Sequence, residues 1–478
     1  MELQHPDSWE APKLDELIIY AIGGDWGKAP DFDEDEYVEV SCIRGSEFRH
    51  WKRDRGSTAS LRKVKLRSLA SRQLKEGDIL VEVSGGGPEQ PVGRTILIDK
   101  AALAIAPDLP KIPTNFVRLA RPSTSLNSKY LNSFLEFFYA SGEINRYQGG
   151  SNNLRNLKFP DFLTIQVPLP PLSEQKRIVT KIEELFSELD AGEESFKQAR
   201  KQLGIYRQSL LKQAFEGKLT EAWRKGQITP LMEEWTEVEL ADITQIIDPN
   251  PSHRYPSYAG GKIPLLATKQ MEGRDGWDPS SAKLTTEEFY QQRVDKHGFD
   301  ESDVIFARKG RLGLARKPPK FPKYAFSHTV FIVRPSGRIS SDYLLWVLRP
   351  DSVVSWLMAE LNTGAGVPTL GKGIFGRLPI HLPPLDEQQE IVRLLEEQFT
   401  VIEQNEREID AALKRSEALR QSILKRAFSG QLVPQDPTDE PASQLLTRIQ
   451  AQRATAEKSA KVNNKTAKKV ARKRARKQ

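Results

Sequence analysis

Leu169-Pro170-Pro171-Leu172-Ser173-Glu174-Gln175 returns 213 residues later as Leu382-Pro383-Pro384-Leu385-Asp386-Glu387-Gln388. The register holds without a gap from Leu169/Leu382 to Leu219/Leu432, with about 23 of roughly 51 aligned positions identical. Both copies continue with a helical pattern. In the first, Ile178, Ile182, Leu185, Leu189, Phe196, Ala199, Leu203, Tyr206 and Leu210 follow steps of three and four, with Gly192 completing the series. In the second, Ile391, Leu395, Ile402, Ile409, Ala412, Leu419 and Ile423 do the same, interrupted by Gln398, Asn405 and Ser416. Such spacing is a heptad seam. Prolines precede each helix, and Gly217 and Gly430 stand where a glycine ends one.

The segments between the helices share a frame. Tyr37-Val38-Glu39-Val40 and Asp78 to Val83 read as strands, and Tyr130 to Phe138 as an apolar helix. Ile263 to Leu266, Asp303 to Phe306 and Tyr343-Leu344 repeat that order. The spacing predicts a first globular region over 1–166, a helix and connector over 167–222, a second region over 223–378, a second helix over 379–433 and a C-terminal segment over 434–478. Only Thr220 to Glu234 separate the first helix from the second region, so the second helix starts near the end of the first. The two helices are then antiparallel. About 42 residues at 1.5 Å each give a rod of roughly 63 Å, with one region fixed at each end. The expected class is α+β: two mixed α/β regions separated by a long antiparallel two-helix coiled coil, with an internal pseudo-twofold repeat. Two helices packed separately on their own regions is the plainer alternative.

The formal charge is +7, but Thr447 to Gln478 holds 12 Lys/Arg against Glu457 alone, which leaves −4 for the rest. Any nucleic-acid reading therefore rests on local patches. One is Arg44, Arg49, Lys52, Arg53, Arg55, Arg62, Lys63, Lys65, Arg67, Arg72 and Lys75, interleaved with Phe48, His50 and Trp51 and opposed only by Glu47 and Asp54. The other is Arg308, Lys309, Arg311, Arg316, Lys317, Lys320 and Lys323, with no acidic residue between them. Lys269, Gln270 and Asn152-Asn153 are further candidates, the amides as readers of adenine. For each residue alone, a solvated surface cation or an ordinary loop side chain is the competing reading. Lys458 to Gln478 is expected to be disordered when alone, either touching phosphates or merely solvated. No apolar run reaches the roughly 18 residues of a membrane span. Cys42, the only cysteine, excludes an intramolecular disulfide and fits a reducing cytoplasm.

Motifs for chemistry fail one by one. Gly23 to Ala29 misses the phosphate-loop spacing and its Ser/Thr, and Gly364-Ala365-Gly366 lacks a third glycine. The six histidines do not fall at metal-ligand spacing, and neither a Gly-x-Ser-x-Gly elbow nor an Asn-Pro-Pro-Tyr-like segment occurs. A non-catalytic chain with no metal and no cofactor of its own is expected.

The doubled Pro-Pro-Leu-x-Glu-Gln helices, ending Gln213-Ala214-Phe215-Glu216-Gly217 and Arg426-Ala427-Phe428-Ser429-Gly430, carry a resemblance, as do Gly77 to Leu80 and Thr363 to Pro368. The chain resembles the specificity subunit of a type I restriction–modification system, up to about Gln452. The resemblance implies two target-recognition domains, each reading half of a bipartite double-stranded DNA site, and a coiled coil that sets the gap. It implies two docked adenine methyltransferase subunits using S-adenosylmethionine, and two restriction/translocase subunits using ATP and Mg2+. One copy of this chain per complex, on DNA in the cytoplasm and away from membranes, is implied too. Recognition residues of the family lie in variable loops, so the candidates above rest on charge alone. A standalone DNA-binding regulator and a coiled-coil scaffold that binds no DNA are the alternatives.

Overall fold

The computed structural model describes residues 4–87, 90–150, 155–226, 235–256, 260–361 and 369–475. Asn152-Asn153 and the Thr363 to Pro368 segment lie outside them. The chain forms two compact units: Met1–Glu194 with Leu413–Gln478, and Ser195–Ala412.

In the first unit, β1 (Ile18–Gly23), β2 (Tyr37–Ile43), β3 (Ser60–Lys65), β4 (Ile79–Glu82), β5 (Thr95–Leu97), β6 (Lys111–Pro113) and β7 (Val117–Pro122) make two sheets. One is antiparallel, in the order β1-β7-β4-β5; the other is β3-β2-β6, with β2 and β6 parallel. In the second unit, β8 (Thr244–Ile247), β9 (Ile263–Leu266), β10 (Lys283–Thr285), β11 (Val304–Ala307), β12 (Ala315–Arg316), β13 (Ala325–Phe326) and β14 (Val330–Pro335) repeat this strand for strand. The orders are β8-β14-β11-β12 and β10-β9-β13, with β9 and β13 parallel. The mixed α/β class and the internal repeat are as the sequence predicts.

Both central strands are buried on two faces, which is why they read as unbroken apolar runs. Ile79 and Val81 of β4 face the core that holds α1 (Ser128–Ala140), while Leu80 joins Ile43 and Trp51 on the other side. Val304 and Phe306 face α2 (Ser341–Val347), while Ile305 and Ala307 join Leu266 and Phe326. The aspartate before each strand is buried and bound by an arginine of the neighbouring strand: Asp78 by Arg121 at 2.6 and 2.8 Å, Asp303 by Arg334 at 2.8 and 2.9 Å.

The copied heptapeptide locks each set of strands to a long helix. Gln175 is fully buried; its Nε2 donates to the Pro170 carbonyl at 2.9 Å and its Oε1 accepts from the Asn127 amide that opens α1, at 3.0 Å. Gln388 does the same with Pro383 at 2.9 Å and the Ser340 amide at 2.8 Å. Glu174 accepts from the Trp9 indole and Glu387 from the Trp235 indole, each at 3.0 Å. Tyr130 and Tyr343 donate to the carbonyls of Pro168 and His381, at 2.8 and 2.9 Å. A buried amide or carboxylate left unpaired costs about 1–3 kcal/mol, so these partners fix the side chain at each place.

The long helices span Leu172–Phe215 and Leu385–Phe428. Each ends in a left-handed glycine, with Lys218 bonded back to Gln213 at 2.9 Å and Gln431 to Arg426 at 2.8 Å. In the first unit the start of one lies against the end of the other: Arg420 binds Asp190 at 2.5 Å, and Ser416 donates to Glu193 at 2.6 Å. In the second unit Arg207 binds Glu406 and Arg200 binds Asp410, both at 3.0 Å, and Tyr206 donates to Gln398 at 3.1 Å. The pairing is antiparallel within each unit.

The seam is shorter in apolar contact than its heptads suggest. Ile178, Ile182, Leu210, Ile391, Leu395, Ile402 and Ile409 are buried, while Leu185, Leu189, Leu203 and Ile423 are half-buried. Phe196, Tyr206 and Leu419 are exposed, contrary to the expected seam. Two helices alone cover only part of a stripe, and the polar cross-helix pairs take over where no sheet or loop adds cover. Conversely, Phe399, Leu424, Ala427 and Phe428 are buried although the heptad reading omitted them.

In the C-terminal segment a helix runs Ala442–Ala475. Ala, Lys and Arg are strong helix formers, and Arg453 pairs with Glu457 one turn on, at 3.2 Å. Its first turns bury Leu445 and Ile449 against the first unit, where Arg453 binds Asp15 at 2.6 Å.

Candidate nucleic-acid interface

In the first unit the ends of β2, β4 and β6 converge on a cleft of about 830 Å³. Arg94 forms its floor, holding the buried Glu82 carboxylate at 2.6 and 2.8 Å and donating to the Gly45 carbonyl at 3.0 Å. A Cβ at Gly45 would meet the Glu82 carboxylate at 2.8 Å, so a larger residue there displaces the end of that side chain. Arg44, Arg49, His50, Ser84 and Asn115 ring the opening, with Trp26 and Phe116 exposed beside them. Cations, amides, hydroxyls and open aromatic faces around one concavity suit phosphates and base edges together.

The basic run of this unit does not gather into one surface. Arg44 lines the cleft but is bound to Glu47 at 2.6 Å. Arg49 is exposed at the rim and has no side-chain partner among the described residues. Arg62 lies over the Trp26 ring at 4.3 Å and donates to its carbonyl. Lys52 sits 5.7 Å over Phe186 of the first long helix. Arg53 pairs with Asp54 at 2.6 Å and Arg55 with Asp99 at 2.8 Å. Lys63 and Lys65 stand 3.9 and 3.8 Å from the exposed carboxylates of Asp33 and Glu36.

The second unit corrects three candidates. Arg308 is only 9% exposed, bound to Asp248 at 2.5 Å and to the Leu370 carbonyl at 3.0 Å. Arg316 is 1% exposed and donates to the carbonyls of Glu272, Gly273 and Gly276. Burial lowers its pKa to about 10. Gln270 is fully buried, accepting from the Ala267 amide at 3.1 Å and donating to Ser281 at 3.0 Å. Arg308 and Gln270 spend their side-chain bonds on the elements around them, and Arg316 does so through its two terminal nitrogens, its Nε having no partner among the described residues. Lys317 pairs with Asp342 at 2.9 Å, Arg311 donates to the Met271 carbonyl at 2.9 Å, and Lys269 to that of Ser281 at 3.3 Å. Lys309 is half-buried, and its ammonium has no hydrogen-bond or ion-pair partner among the described residues.

Several uncharged residues stand out beside these cations. Asn115, Phe116 and Trp26 border the cleft of the first unit. In the second, His328 bonds Tyr255 at 2.7 Å and stacks on His253 at 4.2 Å. Burial and then the neighbouring His253, Lys309 and Arg308 hold His328 below the usual imidazole pKa. Among the described residues there is no cluster of metal-ligating side chains, and no helix is long and apolar enough to cross a membrane.

Comparison with known proteins gives consistent matches. The family model "Type I restriction modification DNA specificity domain" matches residues 6–195 and 232–415. The specificity subunit of the type I restriction enzyme StySPI from Salmonella potsdam is 24% identical over 470 residues, covering 94% of this chain and 96% of the relative. That of EcoKI from Escherichia coli (strain K12) is 25% identical over 469 residues, covering 94% and 97%. Among solved structures, a chain from one on complex assembly and conformational transition of the type I R-M system superposes with a TM-score of 0.64 at 18% identity. It covers 90% of this chain and 100% of that one. The HsdS subunit from Thermoanaerobacter tengcongensis gives 0.52 at 19%, covering 90% and 98%. The structural matches share the fold described above.

Proposed function

The chain belongs to the type I restriction modification DNA specificity family, and on that premise we propose that each of its two α/β regions reads one half of a bipartite DNA site. As a type I specificity subunit it is the non-catalytic, DNA-recognition component of its system. The paired helices act as the spacer between the two readers. They dock two adenine methyltransferase subunits, and two restriction/translocase subunits complete the assembly around one copy of this chain on cytoplasmic DNA. S-adenosylmethionine, ATP and Mg2+ belong to those partners.

The observation that carries this reading is the doubled lock of Glu174-Gln175 and Glu387-Gln388. The same four contacts hold two α/β regions to two like helices, while the loops on those regions differ. A copied attachment suits two identical partners; divergent loops suit two different sequences. Basic side chains at the openings supply phosphate attraction that weakens with salt. The test is exchange of residues 1–166 for the same region of a relative of different specificity, followed by mapping of methylated adenines in the assembled complex. One half of the recognised site changes and the other stays. A change in both halves overturns the reading.

A further inference from the structure

The corner between β6 and β7 and the corner between β13 and β14 are one turn built twice. Thr114-Asn115-Phe116-Val117 and Ser327-His328-Thr329-Val330 are 213 residues apart, the register of the helices. The Thr114 amide donates to Ile43 at 2.9 Å and the Ser327 amide to Leu266 at 2.8 Å. Val117 closes back on Thr114 at 2.9 Å, and Val330 on Ser327 at 3.4 Å. The Phe116 carbonyl accepts from Val83 at 2.9 Å, and the Thr329 carbonyl from Arg308 at 3.0 Å. Each turn opens with a hydroxyl that bonds a tip side chain: Thr114 to Asn115 at 2.9 Å, Ser327 with Thr329 at 2.7 Å. Each closes on a fully buried valine. These three backbone hooks are copied, while the two central side chains share nothing.

Those central side chains contribute little to the fold of the first unit. Phe116 is 52% exposed and lies in none of the hydrophobic clusters among the described residues. Asn115 is exposed, and its only hydrogen bond among the described residues is from Thr114. Both border the cleft with Arg44 and Arg49. A rigid turn loses little entropy when it presents a side chain to a ligand. An asparagine amide matches the N6/N7 edge of adenine in the major groove, and a phenyl ring matches the thymine methyl. In the second unit His328 and Thr329 take the two places, steadied by Tyr255 and by the Thr268 amide at 3.1 Å.

We infer that this corner is the specificity-determining tip of each recognition region. Asn115 and Phe116 read an adenine–thymine pair in the first half-site, and His328 and Thr329 read a pair in the second. The inference rests on the bipartite reading proposed above. It is tested on the full chain assembled with its methyltransferase partners, by sequencing the sites methylated in a random-sequence DNA library. Asn115→Ala with Phe116→Ala relaxes one or two adjacent positions of the first half-site by about 10- to 100-fold. The second half-site, the gap and the salt slope of binding stay as in wild type. Asn115→Asp keeps the size of the side chain and turns its donor into an acceptor, so the same position shifts from adenine toward cytosine. Unchanged preference in both variants, or an even loss across both half-sites with an unaltered melting temperature, overturns the inference and leaves the bipartite reading standing. A wild-type complex with no bipartite preference overturns both.

Discussion

Glu174 and Glu387 occupy equivalent places and differ in how they are held. Glu387 accepts from Trp235, from Thr220 at 2.6 Å and from Arg224. Glu174 has Trp9, and its second oxygen has no partner among the described residues. Burial raises the Glu174 pKa, with the Trp9 bond and Arg177 opposing the rise. A carboxyl whose folded pKa is raised binds its proton more tightly when folded, so its contribution to stability falls as pH climbs from the ordinary glutamate value through the raised one. Glu174→Gln is therefore expected to match or exceed wild type in urea midpoint at pH 8, with the difference closing toward pH 4. Glu387→Gln leaves Arg224 beside a neutral amide and is expected to lose about 1.5–3 kcal/mol at neutral pH. A Glu174→Gln midpoint well below wild type at pH 8 would show that the charge is needed there. None of this asymmetry was legible in the sequence, where both motifs read x-Glu-Gln. It is set by Thr220 and Arg224, which precede Glu387 by 167 and 163 positions, and it depends on which loop returns to the site.

At the scale of elements, each long helix begins on one α/β region and ends on the other. Phe428 is fully buried against Tyr130, Phe134 and Phe137, with ring centroids 5.3–5.5 Å away. Its counterpart Phe215 is half-buried and meets Tyr343 at 5.8 Å. Phe428→Ala is expected to cost about 3–5 kcal/mol and Phe215→Ala distinctly less; chemical denaturation of the two variants ranks them. Equal losses would mean that the aromatic nest around Phe428 adds nothing. The helices, their glycine ends and their antiparallel sense followed from period and connectivity. Which heptad positions are covered did not follow. The pattern marks Phe196 and Leu419 as seam, but both are exposed, and the two helices are joined along this stretch by the ion pairs Arg200–Asp410, Arg420–Asp190 and Arg420–Glu193. Charge counting failed for a related reason. Arg308 and Arg316 look like free cations until the loop carbonyls and the carboxylate that consume their donors are in place.

For the whole molecule, the helices of 44 residues each invite a metric test of the spacer reading. One heptad added to both helices lengthens each by about 10.5 Å, near three base pairs at 3.4 Å. The preferred gap between half-sites is expected to grow by about that amount, with both half-sites unchanged in methylation mapping. An unmoved gap would remove the helices from the role. The doubled fold was open to sequence reading because duplication leaves a register of 213 residues in the long helices and in the turn before β7 and β14, while the central strands β4 and β11 have slipped to 225. The site was hidden because Asn115, Phe116 and His328 carry no formal charge and sit in a turn that no motif marks. That turn has a consequence for how such chains diversify. Its hooks are backbone amides and carbonyls, indifferent to side-chain identity, so the two tip positions lie outside the stability threshold that filters most mutations. Drift at Asn115 and Phe116 is nearly free of folding cost, which makes this corner a place where a lineage can explore new sequence preferences.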